Sequence, residues 1–301
     1  MRNLLNTIQQ AENKKVAIGH FNIANLEQLK AISNVAIQMD LPVIIGVSEG
    51  EREFIGVQRV RDIIDSYNRE FGKDSSVEGF WLFLNADHTH SLEKAKEAVE
   101  AKFDAVIFDG SKLDKDENII KTAEAVSTLK TIYPSICIEG ELGYIGSGSE
   151  IHDALPEGAV IKEKDLTKPE EAVEFVQKTG VTFFSPAVGN VHGMFKNAPN
   201  PKLNIKRIKD IKDALKDAQG KSIPLVLHGG SGISDDDFVS AIDAGINIIH
   251  ISTELRRAWR EGMDKAFKEN PNEVAPYKLS ADAVTTMENV VENRLKLFNK
   301  F

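Results

Sequence analysis

Eight times along the chain a short, continuous apolar run gives way to a longer run whose apolar positions recur with helical spacing. The short runs are VAIGHF (16–21), PVIIGVS (42–48), GFWLFLNAD (79–87), DAVIFDGS (104–111), SICIEGEL (135–142), VTFFSPAVG (181–189), IPLVLHGGSG (223–232) and INIIHIST (246–253). The helical runs cover 25–39, 51–70, 91–102, 117–132, 168–180, 205–218, 234–245 and 254–268, and Ser91 is placed to cap the third of them. The strand runs do not alternate between apolar and polar, which is the pattern of parallel strands buried on both faces. Regular strand–helix alternation makes a parallel sheet with helical crossovers, and eight units in this length predict an α/β fold of the TIM (β/α)8 barrel type. The run at 280–300 predicts an extra C-terminal helix. No G-x-G-x-x-G follows the first strand, which argues against a doubly wound dinucleotide-binding sheet. No linker or low-complexity tract interrupts residues 1–301, so one domain is expected.

In a barrel of this kind the C-terminal rim of the strands carries the chemistry. Read strand by strand, that rim collects Asn22, Ser48, Asp87 with His88, Asp109, Glu139 with Glu141, His192, His228, and His250 with Ser252 and Thr253. Polar groups gathered at one end of an apolar barrel cost desolvation unless they are used. Two long Gly/Pro/Asn-rich connections, 143–166 and 190–203, would lie on the same face.

Composition narrows the function. The chain has 301 residues, 42% of them hydrophobic and 28% charged, as in an ordinary globular protein. Its formal net charge of −9 disfavours nucleic acid and anionic membrane as partners. It leaves room for a phosphorylated small molecule in a locally positive site. A single cysteine, Cys137, cannot make an intramolecular disulfide or a cysteine-based zinc site, and its place on the fifth strand reads as buried. The N-terminal MRNLLNTIQQAENKK lacks a signal-peptide apolar region and no window reaches membrane-span length, so a cytoplasmic enzyme or binding protein is expected.

His88, His192 and His228 are the metal candidates. Each falls at a strand end, two stand beside glycine, and neutral imidazole is a preferred ligand of zinc, which with three protein ligands keeps an open position. Nitrogen ligands also suit cobalt, nickel and iron. Any one histidine alone would be read as a local hydrogen-bonding residue. His90 reads as solvent-facing or supporting, His20 as a satisfied core residue and His152 as a loop residue. HGGSG (228–232) and HGMFK (192–196), with Thr253 close by, have the glycines and amides that hold phosphate at barrel loops. The charge run KRIKDIKDALKD (206–217) reads as a solvated helix face.

NADHTHS, VIFDGS, IEGELGYIG, VGNVHGMFK, LHGGSG and ISTELR, in this order and at these strand positions, resemble the class II (zinc-dependent) fructose-bisphosphate aldolases and their tagatose-bisphosphate relatives. FNIANLEQL and GVSEG also look like that family, and the likeness runs nearly the whole chain. It implies a carbohydrate-metabolism lyase that reversibly cleaves a ketose bisphosphate to dihydroxyacetone phosphate and glyceraldehyde 3-phosphate. On this likeness His88, His192 and His228 hold the catalytic Zn2+. Asp87 is the acid–base group, and Glu141 lies near the metal, orienting a ligand or offering a second divalent position. Gly193, Lys196, Gly229, Ser231 and Thr253 cradle the phosphate of dihydroxyacetone phosphate, and carbonyls near Gly193 and Gly229 bind a monovalent cation. Asn22 and Ser48 touch substrate, Arg256 meets the second phosphate, and Glu150 on the loop after the fifth strand moves the C3 proton. The family also implies a homodimer or homotetramer. A Schiff-base aldolase would need a lysine inside the barrel, and none of the eight strand runs has one.

Two residues depart from the family pattern. His250 and Ser252 stand where the family has Asn-x-Asp or Asn-x-Asn before the threonine; the family asparagine binds the dihydroxyacetone unit and the next polar residue reads hydroxyls of the aldehyde half. The metal set is intact, but the substrate is opened to alternatives: a different aldol substrate on the same scaffold, or a non-catalytic paralogue that binds metal or phosphosugar.

Overall fold

The computed structural model describes residues 3–72, 79–143, 145–146, 148, 150–152, 163–196, 200–217, 220 and 223–301. The expected loops 143–166 and 190–203 and the end of the run at 205–218 therefore lie partly outside the described residues.

Eight parallel strands close a barrel: β1 (Ile18–Asn22), β2 (Pro42–Val47), β3 (Trp81–Thr89), β4 (Ala105–Phe108), β5 (Cys137–Leu142), β7 (Phe183–Pro186), β9 (Leu225–Leu227) and β10 (Ile246–Ile251). Each pairs with its neighbours in the order β1-β10-β9-β7-β5-β4-β3-β2. Two further strands, β6 (Ile151–His152) and β8 (Met194–Phe195), pair in parallel and tie together the two long rim connections expected to be structureless.

The crossovers are α2 (Leu26–Met39), α3 (Glu49–Ile55) with α4 (Val57–Phe71), α5 (Leu92–Glu100), α6 (Lys115–Ile132), α7 (Pro169–Thr179), α8 (Ile205–Ala214), α9 (Asp235–Ala244) and α10 (Thr253–Glu269). Their starts are fixed by side-chain caps: Asn25, Ser91, Asp114, Asn204 and Ser234 each accept from the amide three residues on. The run read as one helix over 51–70 is two, broken at Gly56, whose φ of 98° lies where only glycine sits without strain. The extra C-terminal helix α11 (Pro276–Asn299) packs on α10 so closely that a Cβ on Gly262 would lie 2.4 Å from Ala283 Cα. An N-terminal helix, α1 (Leu4–Asn13), was not foreseen.

Side chains alternate along each strand, so every second residue faces the barrel axis. The lowest inward layer is apolar: Ile18, Ile44, Phe83, Ala105, Cys137, Phe183, Val226 and Ile248, closed from below by Leu4, Ile8 and Ala11 of α1. Burial there pushes the Cys137 thiol up to about 12, so it stays neutral. Two residues further along the strands the layer turns polar, with His20, Asn85, Glu139, Ser185, His228 and His250, all buried. The apolar floor closes the barrel from below, and the polar layer opens toward the C-terminal mouth.

One charge run differs from expectation. Lys212 on α8 is buried, its amine bonded to Asn247 Oδ1 at 2.9 Å and to Glu12 at 2.7 Å, because it reaches under the barrel toward α1 rather than into solvent.

Candidate active site

The metal-type cluster is built where β3 is irregular. Pairing with β4 shifts register between Ala86 and Thr89, and His88 takes φ 37°, a left-handed conformation for a non-glycine residue. The bulge turns Asp87 and His88, which strict alternation would send to opposite faces, both toward the rim. It is braced by Arg52, buried on α3, which donates to the carbonyls of Val47 (2.7 Å) and Asp87 (3.2 Å) and to Thr89 Oγ1 (3.1 Å).

His88, His192 and His228 each bring a ring nitrogen to within 4.8 Å of the others. Their planes meet at 64°, 74° and 70°, so the three rings converge from separate directions. His88 Nε2 lies 3.3 Å from His228 Nδ1, while the outer nitrogens are held by carboxylates: His88 Nδ1 by Asp109 at 2.8 Å and His228 Nε2 by Glu139 at 2.7 Å. An outer nitrogen fixed by a carboxylate is the usual support of a metal-bound imidazole, so this donor set fits a divalent cation. Glu141 sits behind His88, its Oε2 3.9 Å from Nδ1 and without a hydrogen-bond partner. With Asp109 and His88 it forms an adjacent candidate set.

Electrostatics follow from burial and mutual charge. Burial holds His192 and His228 down at about 3, with the neighbouring imidazoles adding to it. For His88 burial acts the same way but is outweighed by Asp87, Asp109 and Glu141, which raise it to about 10. In the metal-free site one imidazole therefore carries the proton that a metal would displace. Burial opposes ionisation of Asp87 as well, yet the imidazoles of His88, His20 and His228 and the Asn22 amide hold its carboxyl well below the usual range. Glu139 and Glu141 are raised by burial and by neighbouring carboxylates.

Asp87 is 4% exposed; its Oδ2 accepts from Asn22 Nδ2 at 2.8 Å and its Oδ1 has no hydrogen-bond partner. Asn22 also donates to Glu51 (3.1 Å), which accepts from the Ser48 amide (2.7 Å) and from Arg256 (2.7 Å). Glu51 thus links three expected substrate residues, yet in sequence it is one more acid in a charged helix.

Two adjoining cavities open at the mouth. The inner one, about 20 Å³, is lined by the three histidines, Asp87, Gly193, Gly229, Ser231, His250, Ser252 and Thr253 among others. The outer one, about 290 Å³, is lined by Ser48, His90, Ser111, Lys112 and Arg256, and shares Asn22, Asp87, His88 and His192 with the first. The glycine cradle is sterically required: at Gly229, φ 63°, a Cβ would stand 2.3 Å from the Val191 carbonyl oxygen. Ser231 Oγ accepts from the amides of Ser252 and Glu254, both at 3.2 Å, which fixes the start of α10 against the cradle.

Some expected residues are placed differently. Ser252 lines the inner cavity beside His250, not the outer one where an aldehyde half would extend. Lys196 and Glu150 are exposed and line neither cavity. His90 is exposed, as expected, on the wall of the outer cavity. The side chain of His152 lies outside the described residues. His20 is not a satisfied core residue: its ring stacks on His250 and its Nδ1 is buried without a partner. Its position two residues before Asn22, on the same face of β1, was the available signal.

A parallel eight-stranded barrel with three converging imidazoles and a buried carboxylate at its mouth defines a metal-dependent barrel enzyme. Residues 2–301 match the family model for fructose-bisphosphate aldolase class-II, and the chain belongs to that family. It is similar to the sulfofructosephosphate aldolase of Alkalicoccus urumqiensis, 33% identical over 97% of this chain and 94% of that one. It is also similar to the fructose-bisphosphate aldolase of Geobacillus stearothermophilus, 31% identical over 99% and 96%. Among solved structures, the YdjI aldolase from Escherichia coli K12 superposes with a TM-score of 0.79 at 30% identity, covering 99% of this chain and 97% of that one.

Proposed function

We propose that the protein cleaves a ketose 1,6-bisphosphate, fructose or tagatose, to dihydroxyacetone phosphate and glyceraldehyde 3-phosphate. What carries the reading is one observation: three imidazole nitrogens within 4.8 Å of each other, two backed by carboxylates, beside a buried carboxylate with a free oxygen. His88, His192 and His228 would hold the cation, zinc in the first instance, with Glu141 beside it as support or second position. Bound there, the cation would act as a Lewis acid on the substrate ketone.

The remaining steps belong to the chain. Asp87 Oδ1 takes the proton of the C4 hydroxyl as the C3–C4 bond breaks; the hydroxyl oxygen becomes the aldehyde, and the bond's electron pair passes into the three-carbon half. Asn22 holds the other Asp87 oxygen and so aims the free one. Gly193, Gly229, Ser231 and Thr253 would cradle the phosphate of the three-carbon half at the inner cavity, which at about 20 Å³ has to widen to admit it, with carbonyls near Gly193 and Gly229 offered to a monovalent cation. Ser48 and Arg256 face the aldehyde half and its phosphate in the outer cavity. Lys196 and Glu150 would join by movement of their loops, Lys196 to the phosphate and Glu150 to return the proton to C3. The phosphorylated substrate and the single cysteine support a cytoplasmic setting. A homodimer or homotetramer belongs to the same reading.

A second reading, the same scaffold on a ketose 1-phosphate with another anionic end, is favoured by the likeness to a sulfofructosephosphate aldolase. The experiment is His192→Ala, expected to lose zinc and turnover while keeping the barrel's circular dichroism. Unchanged metal content would sink the ligand assignment.

A further inference from the structure

The two histidines that the metal cluster leaves over meet in the barrel's polar layer. His20 on β1 and His250 on β10 sit side by side in the strand register, and their rings stack at 3.5 Å with planes 5° apart. His250 is also stacked on its other side, by His228 at 4.0 Å and 28°. It is thus clamped between a metal-cluster imidazole and His20, and cannot turn without displacing one of them. His20 is fixed in its turn: its Nε2 lies 3.0 Å from Asn85 Nδ2, and its ring occupies the space over Gly46, where a Cβ would come within 2.1 Å of His20 Cε1. Glycine at 46 is what lets an imidazole lie there.

His250 lines the inner cavity, and His20 lines neither cavity. His250 Nδ1 faces Asp87 Oδ1 at 3.5 Å, and its Nε2 is buried without a partner, as is Nδ1 of His20. A carboxylate facing Nδ1 favours the tautomer with the proton on that nitrogen and leaves Nε2 as an acceptor. Buried polar atoms in native proteins are rarely left unpaired, so a hydroxyl hydrogen is the natural missing partner.

We propose that His20 and His250 act as one unit: His250 offers an acceptor nitrogen to a hydroxyl of the phosphorylated three-carbon half of the substrate, and His20 is a positioning residue that holds the His250 ring in place. This rests on the aldolase reading, because that reading puts the three-carbon half in the inner cavity. It also assigns the two departures from the family pattern to that half and leaves selection of the aldehyde half to the outer cavity.

The test is calorimetric binding of dihydroxyacetone phosphate, and separately of inorganic phosphate, to zinc-loaded wild type, His20→Ala, His20→Phe, His250→Ala and the His20→Ala/His250→Ala double variant. His20→Ala should bind dihydroxyacetone phosphate about tenfold more weakly, the size of one well-made hydrogen bond, with zinc content and phosphate affinity unchanged. His20→Phe, which keeps a flat ring against His250, should recover most of that loss. The double variant should be no weaker than His250→Ala, since His20 acts only through its neighbour. Wild-type affinity in His20→Ala, equal losses for phosphate and dihydroxyacetone phosphate, or additive losses in the double variant would each overturn the unit while leaving the aldolase reading intact. A zinc-loaded wild type that binds no dihydroxyacetone phosphate would instead remove the aldolase reading, and the unit with it.

Discussion

Acidifying the metal-free protein to about pH 4 should cost about 3 kcal/mol of stability through His20 alone. Burial of the ring lowers its pKa from 6.5 to about 4, with Asp87 opposing and the imidazoles of His228 and His88 assisting. The folded protein therefore keeps this ring neutral where the unfolded chain would already protonate it. A histidine depressed in this way contributes stability that is present above pH 6.5 and lost as the pH falls to about 4. The distance from 6.5 to about 4, at about 1.4 kcal/mol per pH unit, gives a full effect of about 3.5 kcal/mol, of which about 3 is reached at pH 4, where the folded ring is itself half protonated. The ring is fully buried, so solvent screening takes little from it. The assay is urea unfolding of metal-stripped protein at intervals between pH 7 and pH 4, compared with His20→Gln. Glutamine does not titrate and can still bond Asn85. Wild type should lose more stability than the variant over this window, by about 3 kcal/mol at its acid end. Parallel loss in the two proteins would refute the reasoning, since His192 and His228 titrate in both.

Three further outcomes follow from the site. Asp87→Asn should retain zinc and lose turnover by about 10²–10⁴-fold, the range of a positioned acid–base group; a near-wild-type rate would remove that role. Arg52→Met leaves the Val47 and Asp87 carbonyls without their donor, so it should cost about 2–4 kcal/mol in denaturant unfolding and weaken zinc binding through the β3 bulge. Because His88 is raised to about 10 in the metal-free site, zinc uptake near pH 8 should release about one proton per ion, read by calorimetry in buffers of different ionisation heat.

Much of this was legible in the sequence because parallel barrels leave two plain signals. Continuous apolar runs such as VIF and PLVL announce strands buried on both faces, and the barrel rule then sends every polar strand end to one rim. That rule singles out Asp87, His88, His192 and His228 as candidates, and the structure brings the four together. What escaped was chemistry hidden inside other patterns. His20 lies within an apolar run, and only counting every second residue back from Asn22 puts it in the polar layer. Arg52 and Glu51 look like any charged residues of an amphipathic helix, and their burial comes from what they reach: the β3 bulge for Arg52, and Asn22, the Ser48 amide and Arg256 for Glu51. Lys212 reads as part of a solvated face because a helix's charge pattern does not record that α1 lies beneath the barrel. Ser252 followed His250 into the inner cavity because β10 ends there, a matter of strand length that propensity does not resolve to one residue.

The most direct measurement is release of dihydroxyacetone phosphate from fructose 1,6-bisphosphate and from tagatose 1,6-bisphosphate by purified, metal-analysed protein, with and without chelator. Release from at least one sugar, abolished by chelator and restored by zinc, is the result predicted for a three-histidine cation site beside Asp87. No release from either sugar by protein that holds stoichiometric zinc would contradict the ketose-bisphosphate assignment, and release unaffected by chelator would contradict the metal route.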